Sequence, residues 1–221
     1  MLNWVLQSRG ITYLRYLRRR VVPRLVPGTF LQELLKNPGN VGAVCASSRH
    51  LARYIANQVP RGDGIVVELG AGTGAVTQAL LESGMPPARL IVVEYSAAFV
   101  QTLRKRFPGL TIIHGNAADL AHLLPQGVAV DAIVSSLPLC SLPKTVTHSI
   151  VQQWDLMLKP RGGVAVQFTY NFRKPHWLAR AATHHGRVGT VWANFPPARV
   201  FTLRYAASHD PTSQPTVPKP D

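Results

Sequence analysis

Between residues 30 and 205 the chain alternates segments of helical periodicity with short, nearly continuous apolar runs. Strands that are buried on both faces of a parallel sheet show such runs, as in Ile65-Val66-Val67 and Leu90-Ile91-Val92-Val93. The pattern predicts strands at residues 65–69, 90–94, 110–114, 130–135, 163–169, 187–192 and 199–205. It predicts helices at residues 30–36, 47–59, 75–84, 96–106, 119–125 and 144–158.

This alternation is typical of an α/β fold, in which helices cover both faces of a parallel sheet. The last two predicted strands are separated only by residues 193–198, which is too short for a crossover helix. These two strands should therefore pair antiparallel at one edge. We expect a seven-stranded sheet that is parallel apart from an antiparallel edge strand, with further helices at the N-terminal end.

Composition divides the chain into three parts and excludes several protein classes. With 46% hydrophobic residues it is too apolar to be disordered throughout, so a domain is expected at residues 27–206 and a proline-rich disordered tail at residues 207–221. The two cysteines, Cys45 and Cys140, suggest neither a disulfide framework nor a zinc site, and no metal is expected. No apolar run approaches the ~20 residues of a membrane span, and no secretory signal is recognisable. A cytoplasmic location follows.

Residues 1–26 carry six arginines and no acidic residue, in a chain whose formal net charge is +14. A helix over residues 11–25 would gather apolar side chains on one side, with Trp4, Tyr13 and Tyr16 as interfacial anchors. This pattern predicts a basic amphipathic segment that attaches the protein peripherally to anionic lipid on the inner face of the cell membrane. The alternative is an ordinary helix docked on the domain, with its arginines solvated.

A glycine-rich turn, Gly70-Ala71-Gly72-Thr73-Gly74, directly follows the first predicted strand and precedes a helix. Glycines allow a ligand to approach the main chain closely, and the following helix offers free N–H groups. Twenty residues later, at the end of the second strand, Glu94 stands where a carboxylate accepts hydrogen bonds from both hydroxyls of a ribose. The order of these features predicts a nucleoside-containing ligand.

Two ligands fit such a turn, a dinucleotide and S-adenosylmethionine. Dinucleotide sites use GxGxxG around a pyrophosphate, whereas here the third glycine comes one residue early. Glu68, just before the turn, would repel a pyrophosphate but suits a ligand that carries an ammonium and a sulfonium. S-adenosylmethionine is the better fit, and no nucleic acid partner is expected.

The segment from Glu68 to Gly74 followed by Glu94 resembles the opening motifs of the class I S-adenosylmethionine-dependent methyltransferases, which have a Rossmann-like sheet. Further motifs resemble the small bacterial phospholipid N-methyltransferases, which methylate phosphatidylethanolamine toward phosphatidylcholine. These motifs are Phe30-Leu31, Asn37-Pro38, Val41-Gly42-Ala43, Ser47-Ser48, Ser136-Leu137-Pro138, Gln167-Phe168-Thr169-Tyr170 and Asn194-Phe195-Pro196-Pro197-Ala198. The resemblance implies an N-methyltransferase that acts on membrane phospholipids.

The resemblance also implies which residues hold the cofactor. Gly70, Gly72 and Gly74 would contact its methionine part, Glu68 its amino group and Glu94 its ribose. Asn116, where relatives usually have Asp, would accept from the exocyclic amine of adenine. The remaining implied cofactor contacts are Tyr95, Ala117 and Leu137.

Methyl transfer from a sulfonium depends mainly on the position and dehydration of a neutral amine. The resemblance points to Ser135 and Ser136 as catalytic residues, the family more often having Gly at position 136. Tyr170 is added because it ends the fifth predicted strand, at the cofactor edge of the sheet, where its ring would face the growing ammonium. Tyr170 could instead be a packed strand-end aromatic. The predicted substrate contacts are Tyr170, Ser48, Arg49, Pro138 and Trp177, although one of Ser47 and Ser48 is expected to be a helix N-cap and Trp177 also fits a core position.

Two other functions remain open. An RNA adenine N6-dimethyltransferase would share the fold and use the positive charge, but residues 135–138 lack the Asn-Pro-Pro-aromatic motif of those enzymes. A lipid-binding protein that has lost turnover is suggested by Asn116 and Ser136. Because Glu68, the glycines and Glu94 are all present, we expect a phospholipid N-methyltransferase.

Overall fold

The computed structural model describes residues 48–173, 175–179, 181 and 185–207. Its seven strands each lie within two residues of a predicted one. The strands are β1 (Ile65–Leu69), β2 (Leu90–Glu94), β3 (Thr111–His114), β4 (Val130–Ser135), β5 (Val164–Thr169), β6 (His185–Val191) and β7 (Ala198–Arg204). The predicted helix at residues 30–36, the segment at residues 1–26 and residues 208–221 of the predicted tail lie outside the described residues.

Five α-helices connect and cover these strands in the described part of the chain: α1 (Arg49–Ala56), α2 (Ala75–Glu82), α3 (Ala97–Arg106), α4 (Leu120–Leu123) and α5 (Lys144–Leu158). Side-chain caps begin two of them. The Ser48 hydroxyl accepts from the N–H of Leu51 at 3.2 Å, and the Ser96 hydroxyl accepts from that of Phe99 at 3.5 Å. Such caps satisfy N–H groups that have no partner within the helix.

The seven strands form one sheet in the order β3-β2-β1-β4-β5-β7-β6. Strands β1 to β5 are parallel to one another, with Leu69 of β1 opposite Val93 of β2 and Ser135 of β4. From β1 the chain adds β2 and then β3 on one side of β1. It then crosses back and adds β4 on the opposite side of β1. Ligands bind outside the carboxyl ends of the strands at such a reversal, here between β1 and β4.

The last two strands pair antiparallel, as predicted, and they occupy one end of the sheet. The strand that runs antiparallel to its neighbours is β7. It lies between β5 and β6, so the outermost strand of the sheet is β6 and not the antiparallel strand, in contrast to the prediction. Thr169, at the end of β5, is opposite Arg199, and Val191 is opposite Ala198. The turn from β6 to β7 therefore lies at the same edge of the sheet as the carboxyl ends of the parallel strands.

Apolar side chains fill both faces of the sheet. One face packs against α1, α2 and α3 around Leu51, Leu80 and Leu103, and the other against α4 and α5 around Trp154 and Leu120. Of the helices that the structure describes, none has the length and apolarity needed to span a bilayer. Helices packed on both faces therefore fix the position of the parallel strands and of their carboxyl ends.

Candidate active site

The glycine-rich turn forms the floor of the candidate site. Gly70 has φ +71° and lies directly beneath Leu137, so that a β-carbon at this position would come 2.5 Å from Leu137 Cδ2. Gly72 has φ +55°, and a β-carbon there would meet no atom within 4 Å. The start of the turn is thus covered by Leu137, which follows β4, whereas the space above Gly72 is open. That open space lies where the strand order reverses.

Glu94 ends β2 with its carboxylate fixed by two main-chain donors. The N–H of Gly72 donates to Oε2 at 2.9 Å, and the N–H of Ser96 donates to Oε1 at 2.8 Å. Each carboxylate oxygen keeps a further lone pair for a donor from outside the chain. The carboxylate is therefore oriented in advance, beside the open face of the turn, to accept from two neighbouring hydroxyls.

Glu68 lies at the end of β1 and is completely buried. The Thr77 hydroxyl donates to its Oε2 at 2.6 Å, whereas Oε1 has no hydrogen-bond partner among the described residues. Burial raises the pKa of Glu68 to about 7; the Thr77 hydrogen bond opposes this rise, and the charge of Glu94 adds to it. Near neutral pH the carboxyl group is therefore poised between its two forms. A cation bound beside it would favour the ionised form.

We expect the free energy of unfolding to fall as pH rises from about 4.5 to about 7. The unfolded chain releases the Glu68 proton near 4.5, while the folded chain keeps it to about 7. Between these two pH values the unfolded state binds fewer protons than the folded state. The contribution of Glu68 to the free energy of unfolding, roughly 3 kcal/mol, is therefore fully present below pH 4.5 and is lost as the pH rises to about 7. Urea denaturation at both ends of the interval measures the slope. Glu68→Gln should flatten it, and an equal slope in that variant would assign it to other groups.

The loop after β3 lies at the same edge as Glu94. The N–H of Gly115 donates to the main-chain oxygen of Glu94 at 3.0 Å, which fixes this loop against β2. The side-chain Oδ1 of Asn116 accepts from the N–H of Ala118 at 3.0 Å and begins a short 3-10 turn. Asn116 and Tyr95 are half-buried and Ala117 is buried. These three predicted cofactor contacts therefore lie at one edge of the sheet, with the Asn116 oxygen already engaged in a local cap.

The turn that follows β4 forms the opposite wall. The N–H of Ser136 donates to the main-chain oxygen of Leu69 at 2.9 Å, which ties this wall to the glycine turn. The Ser135 hydroxyl is buried and accepts from the N–H of Leu137 at 3.4 Å, whereas the buried Ser136 hydroxyl has no hydrogen-bond partner in the described structure. Pro138 is half-buried in the same turn. The Ser136 hydroxyl therefore has hydrogen-bonding capacity that the described residues leave unused.

Tyr170 directly follows β5, at the carboxyl edge of the sheet. It is half-buried and packs edge-to-face on Phe168 with 5.7 Å between the ring centroids. Ser48 and Arg49 begin α1, where the Ser48 hydroxyl is the N-cap and the Arg49 side chain is exposed. The predicted cap is thus Ser48, and its N–H donates to Asn194 Oδ1 at 3.1 Å. This bond joins α1 to the β6–β7 turn.

Trp177 requires a correction to the expectation that it contacts substrate. The structure buries it in the core with 1% of its surface exposed. Its ring packs edge-to-face on Trp154 at 6.0 Å and on Phe201 at 5.4 Å between centroids. An indole enclosed in this way stabilises the fold and offers no face to a lipid.

Three polar residues that support these walls were not among the predicted site residues. Thr77 holds Glu68, and Asn194 holds the start of α1. Gln167 is buried in β5, and its Nε2 donates to the main-chain oxygens of Leu137 at 3.0 Å and Phe168 at 2.6 Å. A buried polar residue within an apolar strand is a sequence signal that indicates such a structural hydrogen bond.

Comparison with known proteins identifies the chemistry of this edge. Residues 66–162 match a family described as "Methyltransferase domain". The ornithine lipid N-methyltransferase of Singulisphaera acidiphila is 32% identical over 139 residues, which cover 60% of this chain and 72% of that protein. The chain belongs to the class I S-adenosylmethionine-dependent methyltransferases. The predicted family, fold and cofactor are confirmed.

Other relatives of this methyltransferase carry different names and are matched over less of their length. The trans-aconitate 2-methyltransferase of Acidovorax sp. is 35% identical over 147 residues, 66% of this chain and 54% of that protein. A ribosomal RNA small subunit methyltransferase A of Phenylobacterium zucineum is 40% identical over 95 residues, 40% of this chain and 32% of that protein. The chain therefore spans between a third and about half of these two relatives.

A solved structure confirms the fold. The 1,6-didemethyltoxoflavin-N1-methyltransferase of Burkholderia thailandensis superposes with a TM-score of 0.61 at 16% identity. The match covers 85% of this chain and 93% of that one. At this identity the likeness concerns the arrangement of helices and strands alone.

The residues at the crevice of the methyltransferase fit S-adenosylmethionine. The fixed carboxylate of Glu94 suits the two ribose hydroxyls, and the unpartnered Oε1 of Glu68 suits an ammonium. The open space at Gly72 leaves room for a ligand against the main chain. An anion in place of this cofactor would meet two carboxyl groups and the closed Leu137 wall.

Proposed function

We propose that this methyltransferase transfers methyl groups to the amine of phosphatidylethanolamine and of its methylated intermediates, toward phosphatidylcholine. The observation that carries this proposal is the similarity to a lipid N-methyltransferase over 72% of that protein's length. Ornithine lipid and phosphatidylethanolamine both present a primary amine on a membrane lipid. The motifs at Ser136-Leu137-Pro138 and Asn194-Phe195-Pro196-Pro197-Ala198 support the phospholipid as the acceptor.

S-adenosylmethionine supplies a methyl group on a sulfonium, which the lone pair of an amine displaces without a strong base from the protein. The protein's contribution is therefore position and dehydration. Glu94 and the glycine turn would fix the donor side, while the Ser136 hydroxyl, which lacks a partner in the described structure, would accept from the amine and aim its lone pair. The ring of Tyr170 would face the ammonium as it forms, and the product sheds one proton to water.

Besides the role of its ring, the Tyr170 hydroxyl is expected to accept a second hydrogen bond from the amine, so Tyr170→Phe should lower kcat about tenfold, the value of one hydrogen bond to a group that gains charge. Cofactor affinity should not change, because the ring and its contact with Phe168 remain. Single-turnover kinetics with saturating cofactor measures the effect. Tyr54→Phe is the matched control, since the Tyr54 hydroxyl lies over Gly189 on β6. Full activity of Tyr170→Phe would leave its hydroxyl without a role.

Residues 1–26 would attach the protein to anionic lipid at the inner face of the cell membrane. Six arginines without an acidic residue, together with apolar residues at helical spacing, support this attachment. Replacing Arg18, Arg19 and Arg20 with serine should weaken binding to anionic vesicles about a hundredfold, at about 1 kcal/mol for each charge. Vesicle sedimentation measures it, with neutral phosphatidylcholine vesicles as control. Equal binding of both proteins to anionic vesicles would exclude an electrostatic role.

A second candidate is an RNA adenine N6-dimethyltransferase, which the +14 charge and the likeness to ribosomal RNA methyltransferase A favour. The turn after β4, which forms one wall of the crevice, argues against this RNA methyltransferase. Residues 135–138 read Ser-Ser-Leu-Pro, so no aromatic side chain stands in that turn to stack on a flipped base.

Lipid analysis in a host that lacks phosphatidylcholine tests the proposal. Expression of the chain should produce mono-, di- and trimethylated phosphatidylethanolamine, detected by mass spectrometry. Glu94→Ala, expressed at the same level, is the control with weakened cofactor binding. Methylated ornithine lipid alone would change the acceptor, and methylated ribosomal RNA with unchanged lipids would replace the proposal by the second candidate.

A further inference from the structure

Three exposed aromatic side chains lie at the same edge of the sheet as the crevice, toward its β7 and β6 end. Phe195 is 92% exposed, Trp192 is 75% exposed and Phe172 is 51% exposed. Trp192 and Phe195 lie in the turn between β6 and β7, and Phe172 follows the end of β5. Together with Arg173 and Arg199 they form what we call the aromatic rim. The pairing of Thr169 with Arg199 and of Val191 with Ala198 places this rim at the carboxyl edge of β5.

The rim is held in place from within the protein. Asn194 is 3% exposed; its Nδ2 donates to the main-chain oxygen of Pro196 at 2.6 Å, and its Oδ1 accepts from the N–H of Ser48. Arg199 Nη1 donates to the main-chain oxygen of Phe172 at 2.8 Å, which joins the segment after β5 to β7. The hydrogen bonds of the buried Asn194 thus hold the β6–β7 turn in position, while the exposed side chains of Trp192 and Phe195 are largely apolar.

The charge around the rim has one sign. Residues 156–207 contain no Asp or Glu, and their basic residues are Lys159, Arg161, Arg173, Lys174, Arg180, Arg187, Arg199 and Arg204. None of the ion pairs in the described part of the chain involves Arg49, Arg173 or Arg199. Of the acidic residues at the same edge, Glu68 and Glu94 are buried in β1 and β2, and the exposed Asp119 follows β3, at the other end of the sheet. An approaching anionic surface therefore meets the exposed Arg173 and the half-buried Arg199, and no carboxylate in the rim itself.

We propose that the aromatic rim inserts into the interfacial layer of an anionic phospholipid bilayer and so turns the mouth of the crevice toward the membrane. Trp and Phe favour the headgroup boundary, and neighbouring arginines add attraction to anionic lipid. This contact is separate from residues 1–26 and belongs to the folded domain. The inference rests on the proposed function in one respect, that the acceptor amine is carried by a lipid.

The chemistry of the rim favours a bilayer over the other possible occupants. A nucleic acid is read through hydrogen-bonding side chains at base edges, whereas the amide of Asn194 is used within the protein. Exposed apolar area and unpaired positive charge on the same edge match an anionic interface, which supplies hydrocarbon and phosphate together. Position adds to this, because a lipid amine must enter from the carboxyl edge of the sheet.

The test compares the full chain with a Trp192→Ala, Phe195→Ala double variant. The probe is a vesicle of phosphatidylethanolamine and phosphatidylglycerol, and binding is measured by sedimentation. Loss of two interfacial aromatics should weaken binding about tenfold or more. Leu156→Ala is the matched control, because Leu156 is 57% exposed near the C-terminal end of α5, at the opposite edge of the sheet. This control should bind as the unaltered chain does.

Circular dichroism and cofactor calorimetry verify that the double variant is folded. Equal vesicle binding by the double variant would overturn the inference, as would an equal loss in Leu156→Ala or binding of the rim to RNA in preference to vesicles. The proposed function is judged separately, by whether the unaltered chain transfers methyl groups from S-adenosylmethionine to monomeric short-chain phosphatidylethanolamine. A vesicle defect without any lipid methylation would uphold the docking surface and reject the acceptor.

Discussion

Glu94→Ala is expected to weaken binding of S-adenosylmethionine about a hundredfold or more. Two charge-assisted hydrogen bonds to the ribose are lost, each with a value of about 1.5–3 kcal/mol. The substitution also removes the acceptor that holds the N–H groups of Gly72 and Ser96, so the floor of the crevice loses its anchor. Isothermal titration calorimetry on the folded variant measures the affinity.

Two controls separate the carboxylate from general effects. Glu82→Ala removes an exposed carboxylate from α2 and should leave the affinity unchanged. Glu94→Gln keeps one acceptor oxygen but turns an amide donor toward a main-chain N–H, so an intermediate loss is expected. Unchanged affinity in Glu94→Ala would mean that the ribose lies elsewhere.

Trp177→Ala is expected to lower the free energy of unfolding by about 3–5 kcal/mol, as for other large buried aromatics. The indole fills the space between Trp154 and Phe201, and its removal leaves a cavity beneath β7. Urea denaturation gives the value. Should the variant fail to fold, Trp177→Phe, which keeps an aromatic ring in the same space, should still cost about 1–3 kcal/mol.

Trp192→Ala is the matched control for this core substitution, because the same side chain stands 75% exposed in the β6–β7 turn. Its effect on stability should stay within about 0.5 kcal/mol. A stable Trp177→Ala protein with weakened lipid binding would restore the expectation that Trp177 contacts substrate. A Trp177→Ala protein that is destabilised agrees with the position of Trp177 in the core.

The local part of the site was predictable from the sequence. The strand, the glycine turn, α2, β2 and Glu94 follow one another along the chain, so apolar runs and glycine spacing are enough to order them. The helix predicted at residues 119–125 is shorter in the structure, α4 at Leu120–Leu123. The Asn116 oxygen caps a 3-10 turn at Ala117–Asp119 that takes up the start of the predicted helix.

Long-range packing accounts for what the sequence did not reveal. Asn194 meets Ser48 across 146 positions of the chain, and Trp177 joins Trp154 and Phe201 from separate elements. The place of β7 inside the edge likewise depends on its pairing with β5. None of these partnerships leaves a periodic pattern, because each depends on how the elements pack in space.

The candidate active site and the aromatic rim lie at the same edge of the sheet. The crevice with Glu94 and Gly72, the wall with Ser136, and the aromatic rim around Phe195 all lie at the carboxyl ends of the strands. With the proposed lipid acceptor, an edge that binds the donor and also meets the bilayer interface would shorten the path of the amine. The opposite edge keeps its surface ion pairs, among them Arg161 with Asp63 at 3.1 Å.

Transfer of radiolabelled methyl from S-adenosylmethionine, in one reaction that contains phosphatidylethanolamine vesicles and ribosomal RNA, tests the central claim most directly. The account predicts label in the lipid fraction, in proportion to enzyme, and none in RNA. Label in RNA alone, or in neither fraction when calorimetry shows the cofactor bound, would contradict it.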